Sequence, residues 1–527
     1  FSSYGPVDRD LHYHAPRTEL IENGYRQLTG ENPEKGGHYI TVWAPRQAGK
    51  TWTLQQVVKK IREKGDFDVA IISMQSAKTV TGDESILELF TAKLGQWFRR
   101  NLGDIRTWKE LENLFAPPNF EKPLILVIDE FDALREDFIN KFANEFREMY
   151  IRRQNEADRV SGEKSCLLHG LALIGVRSAL GIENMTGSPF NVQRSLRIPN
   201  LSFEEVRGMF AWYQEESGQE IEKEVVERLY YETRGQPGLT CWFGELMTEG
   251  FDDYLPEKDR PVTAGDFDYV FRMAVHALPN NNILNIISKA KQEPYRDLVL
   301  TLFKTDKKII FRYDKTLLNF LYLNGVTDIE KTGENMFVRF SSPFVQKRLF
   351  NYFSDELFDE TGKLREPFED LSDTLTETSL NIRNLMRRFE IYLKKNREWL
   401  LADAPRRKDM RIYEAVYHFI LYRYITDFLG LRRARVWPEF PTGNGKVDIL
   451  IKYAERIYAL EVKSYTDESG YKEALTQAAA YGKQLGLAEI SLVFFVEYID
   501  DANREKYEKD YAESGVRVET VFAVTGE

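Results

Sequence analysis

The chain has 527 residues, enough for about two to four domains of roughly 100–200 residues each. Apolar residues make up 43% and charged residues 29%, and no apolar run nears the roughly 20 residues that span a bilayer, which excludes a helical membrane protein. A net charge of −11 excludes nucleic-acid affinity over the whole surface. The two distant cysteines, Cys166 and Cys241, exclude a disulfide framework or a cysteine zinc site and fit a reducing cytoplasm. The opening residues, FSSYGPVDRDLHYHAPR, lack the apolar middle of an export signal, so none is expected.

The first 250 residues alternate between strand-like and helix-like segments. A strand is expected in 38–45 (HYITVWAP), followed by a helix from Lys50. A second strand falls in 67–74 (FDVAIISM), a third in 124–134 (LILVIDEFDAL) with a long helix behind it, and a fourth in 166–176 (CLLHGLALIGV). Short apolar runs alternating with helices predict an α/β domain with a largely parallel, buried sheet. From about 202 the pattern turns helical, opening on SFEEV, a Ser followed by two glutamates that reads as a helix start. Beyond 303 the order is helix, turn at Asn324-Gly325, strand pair around Gly333 and closing helix, which suits a winged helix. A charged helical stretch covers about 366–405, and the remaining residues read as helix, strands, helix, strand, helix, strand. The expected division is therefore 1–200, 201–300 (helical lid), 301–355 (winged helix), 356–405 (helical linker) and a second α/β domain over 406–527.

APRQAGKT, at the junction of the first strand and its helix, carries the first chemistry. In G-x-x-x-x-G-K-[ST], loop N–H groups face the phosphates of a nucleotide, the lysine meets the β/γ oxygens and the hydroxyl ligates magnesium. Gly49, Lys50 and Thr51 fit, the loop is Ala44, Pro45, Arg46, Gln47 and Ala48, and Trp52 adjoins it; Ala44 replaces the opening glycine. A chance G-K-T in a loop is the rival reading. The third strand argues against it, because five apolar residues run into Asp129 and Glu130. In P-loop ATPases, which this pairing resembles, the carboxylate ending this strand holds Mg2+ through water and the next one orients or activates the attacking water. A helix cap by Asp132 accounts for Asp132 but not for Asp129. Arg177, ending the fourth strand beside Ser178, is placed to sense a γ-phosphate, with plain strand termination as the alternative.

These motifs resemble the archaeal-type ATPases in the STAND and Orc/Cdc6-related part of the AAA+ class, over roughly residues 1–355. The resemblance implies ATP and Mg2+ as cofactors. It also implies that Pro16 and Arg17 lie near the adenine, and that Gly235, Gln236 and Pro237 form a lid motif facing the nucleotide. A homo-oligomer is one arrangement such ATPases adopt; Arg194 and Arg197 lie where an arginine finger is expected, and the sequence singles out neither.

The second candidate site is in GKVDILIKYAERIYALEVKSY (445–465), which reads as a β-hairpin. Strand alternation puts Glu461 and Lys463 on one face, and Asp448 on the paired strand can meet them. Carboxylates converging on a divalent cation with a nearby lysine suit phosphodiester cleavage. E-x-K alone also occurs on ordinary amphipathic edge strands. The fuller order, D-(x)n-E-x-K, resembles the PD-(D/E)XK nuclease superfamily over about 406–525. That resemblance implies Glu414 in the preceding helix as a further metal ligand, Gln477 and Tyr481 (i, i+4) as a Q-x-x-x-Y pair, and Mg2+ or Mn2+ at the site. The fold class expected is thus α/β throughout: a P-loop AAA+-like parallel-sheet core with helical lid and winged helix, then a restriction-endonuclease-like domain.

Residues 383–411 contain ten Lys/Arg against four Asp/Glu, with Tyr392 and Trp399 among them. This is either a nucleic-acid-binding patch or a solvated helix face. The six histidines show no ligand spacing, and His12 and His14 read as surface residues. The leading functional expectation is an ATP-regulated, metal-dependent nuclease acting on DNA in the cytoplasm, in mobile-element biology or defence by analogy of architecture alone, with a protein trigger as a further partner and no membrane. The alternatives are a signalling switch whose last domain binds nucleic acid or protein without cutting, and a DNA loader or motor.

Overall fold

The computed structural model describes residues 1–175 except 4, 6 and 118, and residues 194–251, 254–304, 308–357, 364, 369–401, 414–430, 434–441, 446–465 and 467–526. In chain order the first elements are α1 (Thr18–Thr29), β1 (Tyr39–Trp43), α2 (Lys50–Lys64), β2 (Asp68–Ser73), α3 (Asp83–Phe98), β3 (Leu124–Asp129), α4 (Glu136–Asn155), β4 (Leu168–Ile174) and β5 (Arg194–Arg197). Next come α5 (Phe203–Ser217), α6 (Lys223–Thr233), α7 (Pro237–Thr248), α8 (Ala264–His276), α9 (Asn281–Ala290), α10 (Tyr295–Lys304), α11 (Thr316–Leu323), β6 (Thr327–Thr332), β7 (Asn335–Phe340) and α12 (Pro343–Leu357). The last are α13 (Ile382–Leu400), α14 (Glu414–Leu429), β8 (Ala434–Pro441), β9 (Lys446–Tyr453), β10 (Arg456–Ser464), α15 (Glu468–Gln484), β11 (Glu489–Val496), α16 (Asp501–Tyr507), β12 (Asp510–Glu513) and β13 (Val516–Val524). The chain divides into two compact units: Phe1–Lys289 with Ile310–Phe344, and Ala290–Ile309 with Val345–Glu527. The stretch expected as a winged helix is shared between them, with one boundary inside α12.

In the first unit five strands form an all-parallel sheet in the order β2-β3-β4-β1-β5. Every residue of β3 and β4 is buried, which is why both read as unbroken apolar runs. Alternation along β3 divides it between two cores: Leu124, Leu126 and Ile128 pack with α3 and α4, while Ile125 and Val127 pack with α2. The short edge strand β5 was not anticipated. RSLR buries only Leu196, so no apolar run announces it, and it is defined by pairing with β1.

The helices after β5 begin where their caps require. Ser202 and Glu205 form a capping box at α5, as the Ser-Glu-Glu pattern predicted. Pro237 occupies the first turn of α7, where its missing N–H costs nothing. After α11, the hairpin β6–β7 closes through Gly333 at φ 60°, and Phe311 donates its N–H to the Met336 carbonyl alongside it.

The second unit holds a six-stranded mixed sheet in the order β12-β13-β11-β10-β9-β8. β8, β9 and β10 form an antiparallel meander, β10, β11 and β13 run parallel, and α15 makes the crossover that a parallel β10–β11 pair needs. Phe350 of α12 packs against Phe303 of α10 and against His418, Phe419 and Tyr422 of α14. No helix among the described residues is long and apolar enough to cross a membrane. Cys166 and Cys241 are buried free thiols.

Candidate functional site

The first candidate site lies at the C-terminal ends of β1 and β3. The chain leaves β1 through Ala44 and Ala48, both buried, and turns at Gln47 (φ 56°) and Gly49 (φ 82°) into α2. Left-handed backbone at Gly49 is free of a Cβ penalty, and it leaves the first N–H groups of α2 facing out of the loop. The Lys50 ammonium donates to the carbonyls of Ala44 and Pro45 at 2.8 and 2.9 Å. Thr51 donates its hydroxyl proton to Asp129 Oδ2 at 2.6 Å, and the Glu130 N–H donates to Asp129 Oδ1 at 2.8 Å. The sheet therefore brings the loop and the two carboxylates together.

Glu130 itself has φ 54°. A left-handed non-glycine residue costs on the order of 1 kcal/mol, a strain that concentrates at functional positions. Ser73, at the end of β2, donates to Glu130 Oε2 at 2.7 Å. Sequence reasoning missed Ser73; only the register that sets it beside Asp129 exposes it.

The other expected nucleotide contacts divide. Pro16 is exposed. Arg17 is buried, donating to the Pro199 and Asn200 carbonyls at 2.7 and 3.4 Å and lying 3.4 Å from Glu205. Burial lowers the Arg17 pKa and the Glu205 carboxylate opposes that shift. Arg17 thus ties the opening segment to the start of α5 and the residues before it. Trp52 is buried, with the His14 ring 5.3 Å away, and His14 is also 5.3 Å from Trp212; the half-buried His14 is packed rather than freely solvated. Of Gly235, Gln236 and Pro237, it is Gln236 that reaches the loop: its Nε2 donates to the Arg46 and Gln47 carbonyls at 3.0 and 3.3 Å, while Gly235 packs on Leu201 and Pro237 opens α7. Of the finger candidates, Arg197 lies 3.5 Å from Asp328 and stacks over Trp43 and Tyr322. Arg194 is exposed at the start of β5. Arg177 lies outside the described residues.

The second candidate site is on β9 and β10. Their register pairs Leu460 with Ile449, which carries Glu461 opposite Asp448 on one face of the sheet. Asp448 Oδ2 accepts the Val462 N–H at 2.6 Å, and Lys463 Nζ lies 3.0 Å from Glu461 Oε1. Glu461 is 1% exposed. On α15, Gln477 donates its amide to the Tyr481 hydroxyl at 2.8 Å, as i, i+4 spacing allows. Tyr481 packs in the core that holds Ala459, which shares a strand face with Glu461. The Glu414 side chain is outside the described residues, but Glu414 opens α14 and lies one turn before His418. His418 Nε2 donates to the Asp448 carbonyl at 3.1 Å, so the face of α14 that begins at Glu414 meets the aspartate's strand. Histidine spacing in the sequence does not single out His418, whose partner is a backbone oxygen.

Three arginines of the basic stretch are engaged with acids. Arg383 pairs with Asp510 and Glu519, Arg387 with Glu390 and Glu508, and Arg388 with Glu369 and Asp373. Tyr392 is buried against Tyr424. These three arginines fasten α13 to its surroundings, while Lys394 and Lys395 on the same helix are exposed. The side chain of Trp399, and all of 402–413, fall outside the described residues.

Among the described residues no group of three or more His, Cys, Asp or Glu side chains could hold a metal. Mg2+ commonly takes only one or two carboxylates beside waters and phosphate oxygens. The hard oxygen donors at Thr51/Asp129 and at Asp448/Glu461 fit that chemistry.

Fold and loop together define an α/β P-loop core. Residues 20–242 match the family described as an AAA-like domain. Among solved structures, the chain is similar to the Walker-type ATPase of Pyrococcus abyssi (TM-score 0.41, 14% identity, 66% of this chain and 98% of that one). It is also similar to Cdc6p from Pyrobaculum aerophilum (TM-score 0.34, 12% identity, 67% and 98%) and to the RuvB Holliday junction branch migration motor of Thermotoga maritima (TM-score 0.33, 13% identity, 62% and 92%). No curated protein matches the chain.

Proposed function

We propose that the chain is an ATP-binding and ATP-hydrolysing switch whose second unit cleaves DNA in a metal-dependent manner under control of the nucleotide state. The observation that carries the nucleotide half is the Lys50–Thr51–Asp129–Glu130 constellation, supported by the AAA-like match. Loop N–H groups would cradle phosphate, and Lys50 would exchange its two carbonyl partners for β/γ oxygens. Thr51 and Asp129 would hold Mg2+, which when bound neutralises phosphate charge. Glu130, steadied by Ser73, would orient a water and accept its proton.

In the second unit Asp448 and Glu461 would hold Mg2+ or Mn2+, which when bound supplies Lewis acidity at a scissile phosphate, and Lys463 would steady developing negative charge. His418 holds the backbone of Asp448, and Gln477 with Tyr481 would orient the nucleic-acid strand. Arg177 sensing the γ-phosphate, Glu414 as a third ligand, a winged helix over 301–355, assembly into a homo-oligomer and a cytoplasmic location belong to the same reading.

A second reading is favoured by one observation: Glu461 is 1% exposed with Lys463 beside it, so the hairpin can serve as a buried ion pair in a unit that binds nucleic acid or protein without cutting. The deciding experiment incubates the purified chain with plasmid, linear and single-stranded DNA and with RNA, with Mg2+ or Mn2+, with and without ATP. Cleavage lost in Glu461→Gln supports the nuclease. Wild-type protein that cuts none of them, or a Glu461→Gln protein that cuts equally, gives the second reading.

A further inference from the structure

Gln236 makes contacts in two directions. Its Oε1 caps α7, accepting the Leu239 N–H at 2.5 Å, while its Nε2 donates to the carbonyls of Arg46 and Gln47 in the phosphate loop. Two residues on, the Gly238 N–H donates to the same Gln47 carbonyl at 3.1 Å. Close approach is possible because Gly238 lacks a side chain: a Cβ there would lie 2.7 Å from Gln47 Cβ. Gln47 is the left-handed non-glycine residue of the loop, and its own amide donates to the Ser3 carbonyl at 3.3 Å. On the other side of Gln236 the chain has no freedom either. Gly235 has φ 67°, its carbonyl accepts the Leu201 N–H at 2.8 Å, and a Cβ on it would fall 2.0 Å from Leu201 O.

We propose that Gln236 is a positioning residue that latches α7 to the left-handed turn of the phosphate loop, so that lid position and loop shape change together. A carboxamide suits this place because it is donor and acceptor at once: the acceptor end serves the helix and the donor end serves the loop. Backbone carbonyls at 46 and 47 can be held only by a donor, and holding them fixes the peptide planes whose N–H groups face the other way, toward phosphate. A movement of α7 therefore strains the loop, and a loop tightened by phosphate pulls α7 in. The functional consequence rests on the nucleotide-site reading above, because a link between loop and lid becomes a coupling between ligand and lid only if phosphate binds there.

The test separates the two ends of the side chain. Gln236→Glu keeps an acceptor for Leu239, favoured at a helix N-terminus, but cannot donate to the loop carbonyls. Gln236→Met loses both. Hydrogen exchange in the nucleotide-free full chain should rise about fivefold or more over residues 44–50 in both variants, the scale expected when a hydrogen bond holding a segment is lost. Over residues 237–243 it should rise only in Gln236→Met. Wild-type exchange over 44–50 in either variant, or a rise confined to 237–243, overturns the latch. Titration with a fluorescent ADP analogue runs beside it and reads the nucleotide assignment independently: a wild-type protein that fails to bind the analogue removes that assignment while the exchange result still decides on Gln236.

Discussion

Thr51 donates its hydroxyl proton to Asp129 Oδ2 at 2.6 Å across 78 residues of sequence. This bond joins the first turn of α2 to the end of β3, although β4 lies between β1 and β3 in the sheet. The two halves of the candidate nucleotide site are thus mutually positioned by a side-chain contact as well as by strand register.

Lys50→Ala removes the only ammonium at the loop's mouth that the motif supplies. Each hydrogen bond to a charged group contributes about 1.5–3 kcal/mol, so losing two should weaken ATP binding by at least about 100-fold. Calorimetric titration with ATP and Mg2+ measures it. Wild-type affinity in the variant would remove the P-loop assignment.

Glu130→Gln should leave ATP affinity within about threefold while slowing hydrolysis by about 100-fold or more, the usual contribution of a placed general base. Because Ser73 holds Glu130 Oε2, Ser73→Ala should show a smaller loss in the same direction. Phosphate release under saturating ATP is the readout. Full turnover in Glu130→Gln would assign the carboxylate a structural role only.

Glu461 and Lys463 make a prediction about stability as well as cleavage. Lys463→Met leaves a buried carboxylate without its ammonium, which should cost about 2–3 kcal/mol, below the range for fully buried pairs because Lys463 is partly exposed. If Asp448 and Glu461 form a metal site, Mn2+ should recover much of that loss and raise the thermal midpoint of the variant. Glu461→Gln should abolish both cleavage and the Mn2+ response. A midpoint indifferent to Mn2+ in every form would argue for the ion-pair reading.

His169 predicts an acid sensitivity of the first unit. Burial holds its pKa down at about 4 against an ordinary 6.5, with Arg153 and Lys164 adding to the shift. Its Nε2–H donates to the Thr29 carbonyl at 2.9 Å, and Nδ1 accepts from Ser161 at 2.6 Å, so the folded state holds the neutral ring. Between pH 6.5 and 4 the unfolded chain binds the proton and the folded chain does not. Stability should therefore fall by about 3 kcal/mol as pH drops through that window and level off below it. The difference in urea midpoint between wild type and His169→Gln, followed from pH 7 to 4, isolates this from titrating carboxylates. A difference that does not change with pH would exclude it.

What the sequence determined by itself is local. The four apolar strands, the Gly49-Lys50-Thr51 helix start, the Ser202 cap and the Asp129-Glu130 strand end were legible because strand burial, caps and phosphate loops depend on residue type at fixed short spacing. The face shared by Glu461 and Lys463 followed from the same strand periodicity. The contacts between distant segments were not legible. Ser73 meets Glu130, Gln236 meets the loop carbonyls, His418 meets the Asp448 backbone and Arg387 meets Glu508, each through a neighbour that sheet order or helix packing supplies. A serine, a glutamine or a histidine carries no signal of which backbone oxygen or carboxylate will face it, since that is decided by which surfaces bury together. Arg383, Arg387 and Arg388 of α13 show the same thing in reverse: in the sequence they belong to a basic run, and only folding shows that their charges are met by acids up to 136 residues away, from Glu369 and Asp373 before them to Glu519 after them.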